Sequence, residues 1–235
     1  MKVYNHLIRI REQLFPSVCA VCNRHGQTGV EICKPCGHQL PLNHRACHVC
    51  ALPLKGNGQL VCGHCLKTPP HFDHTLAPLI YKEPVDKLIL DLKFRDKLRH
   101  ANLLSNLFLD NHKSAERPQL LIPLPLHSSR IRERGYNQAL ELARVLSNKT
   151  GIALDKKSCI RTRSTAPQSS LSMKDRRRNI RNAFSVTSSI QAEHVAIIDD
   201  VLTSGHTANE LAKVLKKSGV GRVDVWVMAR AGTEG

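Results

Sequence analysis

The sequence predicts an α/β protein in which a parallel sheet is covered by helices on both faces and is preceded by a small cysteine-rich domain. Two observations predict this architecture. From about residue 72 onward, strand-like apolar runs alternate with segments of helical periodicity, as in a parallel sheet with crossover helices. Before that point, residues 18–70 are rich in Cys, Gly and His and contain no apolar run long enough for a core. We therefore predict an N-terminal domain over residues 1–70 and an α/β domain over residues 71–235.

The first predicted elements are one isolated helix and the beginning of the α/β pattern. Residues 1–17 form a predicted amphipathic helix, because their apolar side chains recur at helical spacing. A strand is predicted over residues 75–81. The helix over residues 84–94 follows because its apolar side chains share one face, and a second helix is predicted over residues 100–112.

The later elements complete the alternation of strands and helices. The apolar run 120–126 contains Pro123 and Pro125, which indicates a buried strand that ends in a constrained turn. A helix is predicted over residues 137–148, since Gly151 lies just past its end. The remaining predicted elements are strands at 153–160, 194–199 and 223–228 and a helix at 208–217.

The charge balance restricts the classes of partner. Lys and Arg number 35 against 19 Asp and Glu, which gives a net charge of +16. Such a balance favours nucleic acids, nucleotides or phosphorylated substrates. Aromatic residues make up only 4% of the chain, which argues against a protein that reads single strands mainly by base stacking. No apolar run reaches the roughly eighteen residues of a membrane span, and the N-terminus lacks the apolar core of a secretory signal. We expect a cytoplasmic protein with no membrane insertion.

Eight of the nine cysteines form four Cys-x-x-Cys pairs. The pairs are Cys19/Cys22, Cys33/Cys36, Cys47/Cys50 and Cys62/Cys65. The cytoplasm keeps thiols reduced, and two such turns together supply the four thiolates of a tetrahedral zinc site. The sequence therefore predicts a double zinc ribbon with two structural zinc ions, in a segment that needs the metal to fold.

The assignment of ligands within this segment leaves alternatives. Sequential pairing puts the first four of these cysteines in one site and the last four in the other, whereas an interleaved arrangement gives the same ligand count. Histidines in the same stretch could each replace a thiolate, although complete cysteine sets favour solvated loop histidines. These are His25, His38, His44, His48 and His64. The ninth cysteine, Cys159, is interpreted as a small buried hydrophobe.

A second functional pattern runs from Val195 to Thr207. Four apolar residues lead directly into Asp199 and Asp200, and a loop of hydroxyls with Gly205 follows and opens a helix. Ligands of open α/β sheets bind at this carboxyl edge of the strands. Two adjacent carboxylates repel each other, so a cation or a pair of hydroxyl donors must compensate. The loop offers backbone N–H groups at a helix N-terminus, which favours an anion such as phosphate.

Two further stretches are basic. In the first stretch, residues 122–127 end a predicted strand in a tight turn, and Arg130, Arg132 and Arg134 follow. These arginines suit a second anionic group, because arginine binds phosphate oxygens bidentately. A solvated basic loop is the alternative. The polar segment 161–182 contains Arg176, Arg177 and Arg178. It is interpreted as a surface loop or a nucleic-acid contact.

The residues from Val195 to Thr207 resemble the signature of type I phosphoribosyltransferases for 5-phosphoribosyl 1-pyrophosphate (PRPP). The resemblance implies the fold of those enzymes and a site in which Asp199 and Asp200 hold the ribose hydroxyls. The 5′-phosphate would lie against Thr203, Ser204, Gly205, His206 and Thr207. His206 departs from the small residue usual there, and we expect its side chain to point outward. The equivalent of His127, Ser128 and Arg130 holds the pyrophosphate in those enzymes. For the segment 161–182, the resemblance implies a lid that excludes water from the reacting sugar.

The order of motifs along the chain is similar to that of the ComF family (ComFC/GntX type). The order comprises the cysteine pairs, Lys93-Phe94-Arg95, residues 123–127, residues 132–138, Thr165-x-x-Gln168-x-x-Leu171 and the PRPP signature. This resemblance implies a role in natural competence and in handling imported single-stranded DNA, together with competence or recombination proteins as partners.

Two functions follow from these resemblances. The first is an enzyme that transfers phosphoribosyl from PRPP with Mg²⁺ to an unidentified acceptor, with Asp199, Asp200, Arg130 and Arg134 as catalytic residues. No residue stands out as a general base. The alternative is a non-catalytic module that senses PRPP or binds DNA, which the net charge and the zinc ribbons also suit.

Overall fold

The structure, a computed structural model, describes residues 18–24, 31–56, 58–95, 97–111, 116–163 and 180–232. The helices are α1 (Lys34–His38), α2 (Gly63–Lys67), α3 (Val85–Phe94), α4 (Arg99–Asp110), α5 (Ser128–Arg134), α6 (Gln138–Thr150) and α7 (His206–Lys217). The strands are β1 (His74–Leu76), β2 (Leu79–Ile80), β3 (Leu120–Pro123), β4 (Ala153–Leu154), β5 (Cys159–Arg161), β6 (Phe184–Val186), β7 (His194–Leu202) and β8 (Arg222–Arg230). The predicted helix over residues 1–17 and most of the basic segment 161–182 lie outside the described residues.

The main sheet is parallel throughout, and its strand order is β1–β8–β7–β3–β4, with β2 also paired to β8. Strands β7 and β8 lie at its centre and are almost entirely buried, which explains their continuous apolar sequences. The predicted parallel α/β architecture is confirmed.

Helices cover both faces of this sheet. On one face α3, α4 and α6 pack through Leu88, Leu104 and Leu142, each of which is at most 2% exposed. On the other face α7 packs through Leu211 and Leu215. In the described part of the chain, no helix has both the length and the apolar character that crossing a bilayer requires.

Three predicted elements differ from the structure. The strand predicted at 75–81 is interrupted at Ala77 and Pro78, because proline cannot donate to a strand ladder. The strand predicted at 153–160 divides into β4 and β5, of which β5 leaves the main sheet and pairs antiparallel with β6. No helix is predicted in the stretch that carries Arg130, Arg132 and Arg134, but this stretch forms helix α5, which His127 caps at its N-terminus and Gly135 ends in a left-handed conformation.

The cysteine-rich segment packs directly on the edge of the sheet. Leu42 forms an antiparallel bridge with Leu79, and the backbone N–H of Ile80 donates to the carbonyl of Pro41 at 2.8 Å. The backbone N–H of Asn43 donates to the carbonyl of Pro78 at 2.7 Å. The boundary at residue 70 stays a prediction, and the structure places this segment in continuous contact with the chain that follows it.

Candidate functional site

The eight paired cysteines converge in two clusters. Cys19, Cys22, Cys33 and Cys36 form the first cluster, and Cys47, Cys50, Cys62 and Cys65 form the second. Within each cluster the sulfurs lie within 4.8 Å of one another. A tetrahedral zinc ion with Zn–S bonds of about 2.3 Å places its sulfurs about 3.8 Å apart, so both clusters fit this metal. The sequential arrangement, rather than the interleaved one, is therefore the one that the fold brings together.

Both clusters are built in the same way. A Cys-x-x-Cys loop supplies the first two sulfurs, and a short helix (α1 or α2) that begins after the third cysteine carries the fourth. Burial opposes ionisation of Cys19 and Cys47, but backbone N–H donors outweigh it and lower the pKa of Cys19 to about 6 and of Cys47 to about 7. Burial and the neighbouring thiols raise the pKa of Cys36 to about 12 and also raise that of Cys65, so a bound cation is needed to hold all four thiols of a cluster as thiolates.

The histidines near these cysteines are not part of either cluster in the described residues. His38, His44, His48 and His64 are exposed, as expected for solvated loop histidines, and His25 lies outside the described residues. Cys159 is 7% exposed, and burial raises its pKa to about 12, which agrees with its interpretation as a small hydrophobe.

A cleft of about 640 Å³ opens at the carboxyl ends of β3 and β7. One side is formed by the end of β7 and the loop that leads into α7. The opposite side is formed by the ends of α3 and β3 and by α5. This position is the edge at which open α/β sheets bind ligands.

The acid pair lies within β7 rather than after it, because the strand stays paired with β8 as far as Leu202. Asp200 is 2% exposed, and its Oδ2 lies 2.8 Å from the Nζ of Lys93 on α3. Burial opposes the charge on Lys93, but the two carboxylates outweigh it and raise the pKa of this lysine. The ion pair therefore compensates one of the two adjacent carboxylates.

The carboxyl group of Asp199, unlike that of Asp200, forms no ion pair with Lys93, and its ionisation is disfavoured. Burial and the neighbouring Asp200 together raise the pKa of Asp199 to about 8, although Lys93 acts in the opposite direction. A ligand that brings hydroxyl donors or a cation to Asp199 would stabilise its ionised form, which is the property expected of a sugar-binding carboxylate.

The loop from Thr203 to Thr207 forms the adjacent wall of the cleft. Gly205 has φ +76°, a left-handed conformation that favours glycine, and it precedes the first turn of α7. The twelve-residue helix α7 therefore directs its N-terminal N–H groups and its positive dipole end toward the cleft. The structure thus brings an acid pair and a helix N-terminus suited to an anion into one cavity.

The basic wall is held by contacts within and around α5. Arg130 forms an ion pair with Glu133 at 2.9 Å, and Arg134 donates to Gln138 Oε1 at 2.6 Å. The guanidinium of Arg134 also lies 5.0 Å from the centre of the exposed Phe94 ring. Both arginines line the cleft, so a second anionic group would meet two cations there.

Most of the predicted site residues meet in this cleft, but two do not. Asp199, Asp200, Thr203, Ser204, Gly205, Thr207, His127, Arg130 and Arg134 line it. Ser128 is exposed and outside the lining. His206 is also outside the lining, and its Nδ1 is buried rather than directed outward as we expected.

Lys93 and Arg161 are site residues that the sequence analysis did not assign. Lys93 ends an apolar helix face, and only the packing of α3 on the sheet brings it to Asp200. The hydroxyl of Tyr136 donates to the carbonyl of Leu92, which fixes this end of α3. Arg161 lines the cleft at the end of β5, and burial lowers its pKa while Asp199 acts to raise it.

Comparisons with known proteins show what this chain is similar to. Residues 10–66 match the family described as the double zinc ribbon domain. Over 219 residues the chain is 35% identical to DNA utilization protein YhgH of Escherichia coli O157:H7, which covers 91% of this chain and 90% of that protein. Over 209 residues it is 36% identical to competence protein F of Haemophilus influenzae, with 85% and 90% covered. A glutamine PRPP amidotransferase from B. subtilis, solved with ADP and GMP, aligns with 58% of this chain and 26% of its own length, at 18% identity and a TM-score of 0.34.

Metal analysis of the purified chain should find two zinc ions per molecule, one for each cysteine cluster. Cys62→Ser should reduce this to one, because the second cluster loses a ligand while the first keeps all four. Cys159→Ser is the matched control and should retain both ions. A single zinc ion in the unsubstituted chain would contradict the double-site assignment.

The raised pKa of Asp199 predicts a specific dependence of stability on pH. A carboxyl group whose pKa rises on folding from 3.8 to about 8 stabilises the fold at low pH and loses that contribution as pH rises through 8. Asp199→Asn cannot ionise, so its melting temperature relative to the native chain should increase between pH 4 and pH 8. Asp110→Asn, at an exposed position, is the control. Parallel curves for the native chain and Asp199→Asn would show that this carboxyl group is not perturbed.

Proposed function

Because this chain belongs to the ComF family, whose members include proteins named for competence and DNA utilization, we propose that it binds PRPP in the cleft between β7, α5 and α7. The observation that carries the proposal is the meeting of an acid pair and an anion-binding loop in one cavity. A sugar phosphate is the ligand class that presents hydroxyl donors at one end and an anion at the other.

The residues of the cleft suggest how such a ligand would be held. Asp199 would accept hydrogen bonds from the ribose hydroxyls, with Asp200 held in place beside it by Lys93. The backbone N–H groups of residues 203–207 would bind the 5′-phosphate. Arg130 and Arg134 would face the pyrophosphate, where their fixed donor geometry suits phosphate oxygens.

The same arrangement supports phosphoribosyl transfer. Loss of pyrophosphate places positive charge on the ribose ring, and the carboxylate of Asp199 would stabilise that charge. Mg²⁺ carried by PRPP would neutralise the leaving pyrophosphate together with the two arginines. We assign no described residue of the cleft as a general base for an acceptor. The proposed function therefore specifies the type of reaction but not the acceptor molecule.

The second candidate function is the binding of PRPP or single-stranded DNA without catalysis. The net charge of +16 favours it, as does the double zinc ribbon. Pyrophosphate release from Mg²⁺ and PRPP, measured with and without single-stranded DNA, separates the two. Release that requires both the protein and Asp199 supports the enzyme, whereas binding with no release supports the module.

PRPP with Mg²⁺ should raise the melting temperature of the protein. A ligand at 100 times its Kd adds about 2.7 kcal/mol to the free energy of unfolding, and each kcal/mol corresponds to about 2–4 °C at this chain length. Ribose 5-phosphate should give a smaller shift, because it lacks the pyrophosphate that the arginines would bind.

Asp199→Asn should abolish most of this shift. The single change is preferred to removal of both acids, because it keeps the ion pair between Asp200 and the largely buried Lys93. Asp110→Asn removes one exposed carboxylate away from the cleft and should keep the full shift. Equal shifts in Asp199→Asn and the native chain would refute the site assignment.

Binding of single-stranded DNA should weaken steeply with salt, because each neutralised phosphate releases counterions. Replacing Arg176, Arg177 and Arg178 by glutamine should flatten the plot of log affinity against log salt. The matched control replaces the exposed Lys149, Lys156 and Lys157, which removes the same charge outside the cleft. Equal slopes for the two triple variants would exclude the basic segment 161–182 as the DNA contact.

A further inference from the structure

Arg230, the last residue of β8, carries a buried guanidinium that the proposed chemistry does not use. It is 6% exposed and does not line the cleft. Its Nε donates to the carbonyl of Cys50 at 2.8 Å. Its Nη1 donates to the carbonyls of Leu202 and Thr203 at 3.0 and 2.7 Å, and also to that of Ala231. One side chain therefore joins the second cysteine cluster to the start of the anion-binding loop.

The charge of Arg230 is compensated in an unusual way. Over the described residues, no carboxylate lies within ion-pair distance of this guanidinium, and its partners are backbone carbonyls. A buried charge needs compensation nearby. Four thiolates around one Zn²⁺ leave a net negative charge on the second cluster, and Cys50, one of those ligands, is the residue that Arg230 contacts. With zinc bound, the net negative charge of the second cluster would therefore add to the backbone carbonyls in compensating this arginine.

Apolar packing links the same two regions. Phe72 is 4% exposed and lies in one hydrophobic cluster of buried residues with the four cysteines of the second cluster and with Leu202. Its ring also borders Gly205, since a Cβ built on that glycine would lie 3.8 Å from it. The backbone N–H of His71 donates to Asn209 Oδ1 in α7 at 2.6 Å. Phe72 therefore packs beside the loop and belongs to the same apolar core as the four cysteines, in addition to the link through Arg230.

The first cysteine cluster provides an internal contrast. Its buried members, Cys19 and Cys36, pack with Ile32 and Leu40 in the core on the other face of the sheet, away from Phe72. Cys22 is exposed. The two zinc sites, although built alike, thus support different parts of the molecule.

We propose that Arg230 is a positioning residue for the loop of residues 203–207. We further propose that the order of this loop requires zinc in the second cluster but not in the first. Arg230 acts through Leu202 and Thr203, whose carbonyls it fixes, so it touches no substrate. The consequence for PRPP affinity rests on the proposed function, whereas the consequence for the loop does not.

The test is hydrogen–deuterium exchange of the ligand-free, full-length chain. Exchange of the backbone amides of residues 203–208 should be about tenfold faster or more in Arg230→Met, the equivalent of losing a charged hydrogen bond. Arg230→Lys keeps the charge but cannot reach both sets of carbonyls, and it should show an intermediate increase. Arg222→Lys, at the other end of β8, should leave the loop unchanged.

The two cysteine clusters give the second comparison. Cys62→Ser should accelerate exchange of the loop as Arg230→Met does, and Cys22→Ser should not. The double variant Cys62→Ser/Arg230→Met should show no further increase, because both changes break the same link. The amides of residues 195–198 in β7 serve as the reference, because a variant that unfolds globally also exchanges faster there. If Arg230→Met unfolds in this way, the exchange of the loop in Arg230→Lys decides whether the inference holds.

The outcomes separate this inference from the proposed function. Unchanged loop exchange in both Arg230 variants would overturn the inference, as would equal acceleration by Cys22→Ser and Cys62→Ser. If the native chain does not bind PRPP but the loop exchange follows the expected order, the proposed ligand is wrong and the link to zinc stands. If both hold, PRPP affinity should fall about tenfold in Arg230→Lys.

Discussion

The confinement of β7 between β3 and β8 is the constraint on which the rest of the site depends. The strand is paired on both sides and buried from Val195 to Ile198, so its position is fixed by the core and not by any ligand. Because pairing with β8 continues to Leu202, the acid pair has a fixed backbone, and the loop after it begins from a fixed point. Lys93 contacts Asp200, and Arg230 contacts the carbonyls of Leu202 and Thr203. Because the strand backbone already fixes the position of these groups, one side chain is enough to orient each of them.

The sequence predicted the parts of this arrangement that are local in the chain. Apolar runs and helical periodicity were sufficient to predict the parallel sheet with its two helical layers, and spacing predicted two four-cysteine sites but left the pairing of the cysteines open. The acid pair and the glycine of the loop are neighbours in sequence, so their chemistry could be interpreted without coordinates. Element ends were less predictable, since the interruption at Ala77 and Pro78 and the capped helix α5 depend on local turn geometry.

Contacts between distant residues could not be predicted in this way. Nothing in the sequence of α3 indicates that Lys93 reaches Asp200, because that contact depends on how the helix packs across the sheet. Arg230 ends an apolar strand, where an arginine is most simply interpreted as a solvated terminus. Its partner Cys50 lies 180 positions away, and the pairing exists only because the cysteine-rich segment packs against the carboxyl end of β8.

The hairpin of β5 and β6 has a consequence for how this protein can vary. The backbone N–H of Thr162 donates to the carbonyl of Ala183 at 2.9 Å, so these two positions lie side by side, next to Arg161 of the cleft. The entropy of closing a loop between two such neighbouring points grows only slowly with the length of the chain between them. A change in chain length between these two points should therefore cost the fold little free energy, because the described strands of the main sheet and both cysteine clusters lie outside this part of the sequence.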